Sequence, residues 1–421
     1  MTSELGHIPA PPQEHRAPPR QQIWTANQRR LKYIRKRDPN RDRPLSLNWR
    51  CDVKEIAALL ELPPVRSAKG ARVQAVIVAD ALLAAHYDPE RRISYSRRNA
   101  WWHGARLYHD SDFSFYTVIP TIDGLIEAGI LVDHDLRPAG LSSGIQSSYR
   151  PARWLADVGL PKLHHEVGEL IRLKDADGKM TDYKDTKRVI RDRALLSKIN
   201  LAVAEADIRI KSPDAVIEGD VVRFGKQAIY TTQKALYRVY KGSWTLGGRY
   251  YGAWWQSCPP RHRKFITING QATVERDYSQ IHPRLLYKMA GQTLNGDAYE
   301  VSGWHRDLGK IAFNMILNAQ TLSRAQRALA DALQGDMDAA KELIEDIKTK
   351  HPNVQEYFHT GIGMRLQNID SEMCRSVLSE LHRKSIIALP IHDSFIVAEE
   401  HEKALEKAMK TALDRSMPCK R

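Results

Sequence analysis

The chain has 421 residues, a formal net charge of +14 at pH 7 and a sequence pI of about 9.5, which is long enough for two or three domains with their own cores. The excess of 64 Lys and Arg over 50 Asp and Glu favours a polyanionic partner, and the absence of any run of about eighteen apolar residues excludes a membrane-spanning helix. Cysteines at 51, 258, 374 and 419 lack Cys-x-x-Cys spacing, so neither a zinc site nor a disulfide framework is predicted, and a soluble protein in a reducing cytoplasm is expected, with no membrane partner.

Residues 1–45 hold ten Lys and Arg against four Asp and Glu, with Pro9, Pro11, Pro12, Pro18 and Pro19 near the start. Such a stretch buries too little apolar surface to offset its ordering entropy, so a basic, Pro-rich disordered arm is expected, with Gln22 to Lys36 able to form a helix on a partner. A solvated tail and a nucleic-acid-binding arm fit it equally. From 46 to 158 the pattern changes to helices followed by two extended runs. Ala71 to His86 reads as a buried helix; Ile122, Leu125 and Ile126 give a second helix its stripe, with Pro120 expected near its first turn and Gly129 as its left-handed cap. Ile130 to Val132 and Ser148 to Trp154 are expected as a hairpin with its tip at 137–144. Residues 159–245 carry little nameable chemistry: a charged helix is expected over Lys184 to Ile208, with Leu195, Leu196, Ile199, Leu201 and Val203 for packing, in a helical connector or thumb. His164, His165 and Glu166 are adjacent, and adjacent side chains diverge, so spacing argues against a metal site there.

Tyr250, Tyr251, Trp254 and Trp255, flanked by Arg249, Arg261 and Arg263, put aromatic faces beside guanidinium groups, as a nucleic-acid surface does. Half of these aromatics are ordinarily core, so the arginines are the better candidates for contact. In Asp277-Tyr-Ser-Gln-Ile-His-Pro-Arg-Leu-Leu286 a carboxylate ends an extended run and a helix follows. Asp393 lies at the turn between two apolar runs in Leu389 to Val397. Each aspartate alone fits simple turn chemistry; together they are two hard-oxygen ligands suited to Mg²⁺, which keeps its other positions for water and phosphate. Between them, Arg306-Asp-Leu-Gly-Lys310 runs into a helical stretch to Asn318, where Arg306, Lys310 and Asn314 share one face. Asp336 to Lys350 reads as a solvated structural helix, Leu366 to Leu381 as a longer one, Ser385 to Val397 as a hairpin, and Glu402 to Leu413 as a terminal helix.

The ordered set Asp277-Tyr-Ser-Gln-Ile, Arg306-x-x-x-Lys310 and His392-Asp393-Ser394 resembles motifs A, B and C of the family A DNA polymerases, and His-Asp-Ser also resembles the single-subunit phage-type RNA polymerases. Gly248-Arg249, the segment Trp255 to Pro260 with Arg263, and the Gln367-bearing helix extend the similarity over roughly residues 245 to 400. The resemblance implies two metal ions, Mg²⁺ with Mn²⁺ as a substitute, held by Asp277, Asp393 and the Tyr278 carbonyl. It implies nucleotide contacts from Arg306, Lys310, Asn314, Asn318, His282 and Gln280, with Lys310 as proton donor to pyrophosphate. It assigns Arg249, Arg263, Arg284, Gln367 and His392 to the primer or template. The partners implied are a primed DNA template and nucleoside triphosphates, with RNA as a further candidate and accessory replication proteins unidentified.

Three positions depart from the pattern. His282 stands where DNA-synthesising members carry the Glu that excludes a ribose 2′-hydroxyl, Asn318 stands where both groups carry Tyr, and Phe313-Asn314 reverses the usual order. All three are expected to line the sugar and base pocket, leaving dNTP against rNTP selection open and a primase-like task compatible. Helices followed by a Gly-rich hairpin resemble a winged helix-turn-helix domain, with Ser114 to Ala128 as recognition helix. The expected architecture is therefore α+β and multidomain: an arm at 1–45, a winged-helix-like domain at 46–158, a connector or thumb at 159–245, and a right-hand polymerase palm and fingers at 246–421. No proofreading exonuclease is expected, and analogy points to mobile-element or phage replication. The competing reading is a DNA-binding replication initiator or regulator with a degenerate polymerase-like half.

Overall fold

The computed structural model describes residues 43–103, 106–108, 111–136, 146–225 and 227–416. The expected arm up to residue 42 and the hairpin tip at 137–144 lie outside the described residues. The chain divides into a larger unit, Arg37–Leu285 with Met364–Arg421, and a smaller one built on Leu286–Gly363. Stretches expected as separate domains at 46–158 and 159–245 thus fall in one unit with the C-terminal segment.

In the larger unit, helix Ala68–Tyr87 is buried continuously from Val73 to Ala85, as an Ala, Val and Leu sequence apolar on all sides requires. Ser67 caps it by accepting from the Gly70 N–H. Helix Phe115–Glu127 buries Val118, Ile119, Ile122 and Leu125 against the same core. Pro120 lies inside this helix rather than in its first turn, because the Ser114–Thr117 capping box starts the helix earlier than the apolar stripe suggests. The helix closes at Gly129 (φ 69°) with the Ile130 N–H on the Leu125 carbonyl, the expected left-handed cap. Strands Leu131–Asp135 and Ser147–Pro151 pair antiparallel, Ile93–Tyr95 joins the latter, and Arg43–Pro44 adds in parallel. Beyond Pro151, which has no N–H for a ladder, the expected strand becomes the 3-10 turn Arg153–Asp157.

Residues 159–245, expected to be helical, contain one long helix, Lys187–Glu205, among short strands. Runs such as Val221–Phe224 and Tyr237–Lys241 are β-branched and aromatic, with glycines between them, and pair as strands. The helix buries Val189, Asp192, Leu196, Ile199 and Val203; Leu201, expected in the packing, is exposed. Trp49, Leu83, Tyr87 and Val221 form a cluster that docks this region on helix Ala68–Tyr87.

His164 and His165 form a two-residue strand, with His164 exposed and His165 edge-on to Trp49 at 4.9 Å between ring centroids. Among the described residues no group of three or more His, Cys, Asp or Glu is placed to hold a metal. Burial, reinforced by Arg172 and Arg50, pushes the His165 imidazole down to about 4. A depressed histidine binds its proton in the unfolded chain first, so stability is complete above the unfolded value of about 6.5 and is lost as pH falls toward 4. Denaturant melts at pH 7 and 4.5 should differ by about 2–3 kcal/mol from this group alone, and His165→Phe should remove that part of the difference.

A five-stranded antiparallel sheet orders Leu389–Ile391, Ser394–Ala398, Gln271–Asp277, Ile266–Ile268 and Ile208–Ile210. Strand Ser394–Ala398 is buried at every position, which its Phe-Ile-Val run allows. Helix Glu402–Arg415 packs on it through Leu405, Ala408, Met409 and Ala412.

In the smaller unit, helices Arg306–Asn318, Leu322–Ala332 and Met337–Lys350 pack together. The expected structural helix is capped by Asp336 and buries Ala340, Leu343, Ile344 and Ile347. Phe313 does not line a pocket: it is fully buried among the rings of Tyr299, His351 and Phe358. Its helix buries Leu308, Ala312, Phe313, Ile316 and Leu317, and the 3.6-residue period puts position 313 on that inner face. Gly309 meets the Tyr299 backbone, where an added Cβ would lie 2.1 Å from the carbonyl oxygen. Gly309→Ala should therefore destabilise this unit by about 2–4 kcal/mol through overpacking, read as an earlier denaturant transition.

Candidate functional site

Strand Gln271–Asp277 pairs with Ser394–Ala398 in a register that sets Asp277 opposite Ser394. The Tyr278 N–H then donates to the Asp393 carbonyl at 3.2 Å. Two aspartates more than a hundred residues apart are thereby brought to adjacent strand ends. The hairpin carrying Asp393 turns in two residues, His392 and Asp393, with His392 at φ 59°, while Gln280 at φ 54° bends the chain from Asp277 into helix Ile281–Met289. Non-glycine residues in this region are uncommon and cost of order 1 kcal/mol or more. Both turns that aim an aspartate carry that cost.

The hairpin is pinned from below. The Trp255 indole N–H and the Gln256 amide both donate to the Pro390 carbonyl, at 3.1 and 3.2 Å. Ser394 donates to Glu275 at 2.8 Å, and the same carboxylate takes Arg263 at 2.6 Å. Arg263, expected at the template, is thus engaged with Glu275. Trp254, Trp255 and Tyr250 are core, and Tyr251 alone of the four aromatics reaches the surface, edge-on to His392 at 5.5 Å. Burial and the nearby Arg249 charge hold the His392 imidazole below its ordinary range.

Arg249 is aimed by a bulge. Gly248 (φ 89°) has no room for a Cβ, which would meet the Tyr240 ring at 2.7 Å and the Ser371 hydroxyl at 2.9 Å. Its carbonyl accepts from Arg238 at 2.9 Å, and the Gly247 carbonyl accepts from Asn368 and Ser371, each at 3.1 Å. The chain is thereby tied to helix Gly363–Arg383, and the next residue, Arg249, pairs with Asp370 on that helix at 2.5 Å. Asp370 is buried and also contacts His282 at 2.9 Å. Arg284 is exposed and Gln367 half-buried; neither side chain has a hydrogen-bond or ion-pair partner among the described residues.

Four carboxylates on these segments differ in their partners. Asp370 and Glu275 each have an arginine; Asp277 and Asp393 have no ion-pair partner among the described residues. Their oxygens with the backbone carbonyl of Tyr278 are the hard donors that Mg²⁺ takes. The Tyr278 side chain has another role: it is buried and donates to the Met409 carbonyl at 2.7 Å.

In the smaller unit, Arg306 and Lys310 are exposed on one face, with Asn314 half-buried behind them and Asn318 exposed at the helix end. Arg306 pairs with Asp297 at 2.6 Å, and both cations lie over the Tyr299 ring, at 5.5 and 5.9 Å. Asn318 donates to the Asn314 carbonyl at 2.8 Å and its other amide atom backs onto Gly363, where a Cβ would be 2.1 Å away. Sequence reasoning missed Asp370 and Glu275. The available signals were spacing: Asp370 is one turn beyond Gln367, and Glu275 shares a strand face with Asp277.

No protein-family profile matches the chain, and no curated protein matches it. Among solved structures, it is similar to the POL domain of Pol1 from M. smegmatis in complex with DNA primer-template and dNTP, at 15% identity and a TM-score of 0.32. The similarity covers 55% of this chain and 49% of that one, so the match spans about half of that structure's length. No helix among the described residues is long and apolar enough to cross a membrane.

Proposed function

We propose that the chain is a template-directed nucleotidyltransferase that extends a primer on DNA, with Asp277 and Asp393 as ligands of two Mg²⁺ ions. The observation that carries this is the register of the two strands, which brings the two unpaired aspartates to adjacent strand ends. When bound, a metal pair lowers the barrier to attack by a 3′-hydroxyl and to departure of pyrophosphate. The protein's own part is to hold and orient. Asp277, Asp393 and the Tyr278 carbonyl fix the ions; Arg306 and Lys310 offer a guanidinium and an ammonium to a triphosphate, with Lys310 giving the proton that pyrophosphate needs. Arg284, Gln367 and His392, whose side chains have no hydrogen-bond or ion-pair partner among the described residues, would meet the primer terminus or template. Asn314 and Asn318 are amide donors for the nucleotide.

For residues 46–158 we propose a winged helix-turn-helix module. The order of helix, strand, helices and hairpin, with Ile93–Tyr95, Ser147–Pro151 and Leu131–Asp135 side by side, supports it. The outward residues of helix Phe115–Glu127 are Tyr116, Pro120 and Glu127, and Asp123 is held by Arg97 at 2.5 Å. A helix face without cations favours a protein partner over phosphate contact there.

A primed template incubated with Mg²⁺ and either dNTPs or rNTPs tests the proposal: templated addition that EDTA abolishes is expected, and no extension with either set contradicts it. One observation favours a DNA-binding initiator with a degenerate polymerase-like half, namely that Arg249 and Arg263 are both engaged by internal acids. That reading expects sequence-specific duplex binding with no synthesis.

A further inference from the structure

The contacts of Asp370 carry a conclusion about the sugar. Its side chain is 2% exposed and meets two groups from different elements: Arg249 on strand Ser243–Tyr251 and His282 on the first turn of helix Ile281–Met289. At His282 the two neighbours make opposite demands on one nitrogen. The Asp370 carboxylate accepts and lies 2.9 Å from Nε2, whereas the Arg249 guanidinium, which has only protons to offer, lies 3.3 Å from the same atom. The geometry assigns the Nε2 proton to the closer carboxylate. In the neutral ring the lone pair is then on Nδ1, for which no partner occurs among the described residues.

His282 stands five residues beyond Asp277 on the chain that leaves the aspartate pair. A nucleotide whose α-phosphate is held at Asp277 and Asp393 is joined to its sugar through the 5′-oxygen alone, so the sugar must lie among the groups next to the aspartates. The His282 imidazole shares the Arg249 guanidinium with Asp393, whose charge acts on it, and an imidazole with a fixed acceptor suits a hydroxyl donor. Resting on the function proposed above, we propose that Asp370 is a positioning residue that holds His282 with Nδ1 as acceptor for the ribose 2′-hydroxyl, so that the enzyme selects ribonucleoside triphosphates. A deoxyribose leaves that acceptor without its donor, and a polar group left unpaired on binding disfavours that substrate. Arg249, on the other side of Asp370, donates to the same carboxylate and so holds it in place against His282.

The test compares kcat/KM for single rNTP and dNTP addition to a primed DNA template by the full chain. Wild type is expected to favour the ribonucleotide by about tenfold or more. His282→Phe and Asp370→Asn should lower rNTP addition about 10–100-fold and dNTP addition much less. His282→Asn places an amide oxygen near the position of Nδ1 and should keep most of the preference. Thermal melts of each variant separate misfolding from a change in selection, because misfolding lowers both rates together and leaves the ratio intact. Equal losses for both sugars in His282→Phe and Asp370→Asn, or a wild-type preference for dNTP, overturn the inference while leaving the polymerase reading intact. No extension by wild type with either sugar overturns both.

Discussion

Replacing Asp393 by Asn is expected to slow primer extension by at least about a thousandfold, equivalent to about 4 kcal/mol of transition-state stabilisation, without weakening the fold. The same holds for Asp277→Asn. Neither side chain has an ion pair to lose among the described residues, and the strand register that aligns them is set by backbone bonds, including that from the Tyr278 N–H to the Asp393 carbonyl. Thermal melts without metal should therefore show each variant about as stable as wild type. Added Mg²⁺ should raise the wild-type melting temperature and have a smaller effect on the variants. A variant that loses stability and activity together would place the aspartates in the scaffold instead.

The second large effect is expected at a residue far from notice in the sequence. Arg238 is 1% exposed and makes four hydrogen bonds: to Asp192 at 3.1 Å, Glu372 at 2.7 Å, Ser371 at 3.2 Å and the Gly248 carbonyl at 2.9 Å. Arg188 and Arg375 complete the cluster, at 2.7 Å from Glu372 and 2.8 Å from Asp192 respectively. This cluster joins helix Lys187–Glu205, strand Tyr237–Lys241 and helix Gly363–Arg383. Arg238→Met keeps the stem volume but strands buried acceptors, and breaking a buried ion pair from one side costs about 3–5 kcal/mol. Equilibrium unfolding should show that loss. Because the Gly248 carbonyl is one of the four acceptors, the bulge that aims Arg249 at Asp370 loosens as well. Molecules that remain folded should therefore also be less active, and a variant with wild-type stability and activity would contradict this account of the cluster.

What the sequence disclosed and what it concealed follow from the range of the interactions. Asp277 before a helix and Asp393 in a tight hairpin are local patterns, and the structure has both turns where the residues suggest. The stripe of Arg306, Lys310 and Asn314 follows from helical period alone. That same period places Phe313 on the buried face with the apolar positions 308, 312, 316 and 317. Arg249 and Arg263 look free in the sequence because their partners are remote or unremarkable: Asp370 lies on a helix more than a hundred residues later, and Glu275 sits within an ordinary strand. Residues 159–245 concealed their β content because strands of three to five residues give few repeats of a period of two, while the one long helix dominates the pattern. Gly248 was legible as half of a Gly-Arg pair, but not as the bulge whose missing side chain admits Tyr240 and Ser371.

If Asp277 and Asp393 act as one metal site for nucleotidyl transfer, a mutant cycle on primer extension will show it. Rates with Mg²⁺ are measured for wild type, Asp277→Asn, Asp393→Asn and the double variant under single-turnover conditions. Residues that act as a unit are strongly non-additive, so the double variant should be no slower than the slower single variant. Single variants that retain activity, or losses that multiply as for independent sites, would contradict the shared site.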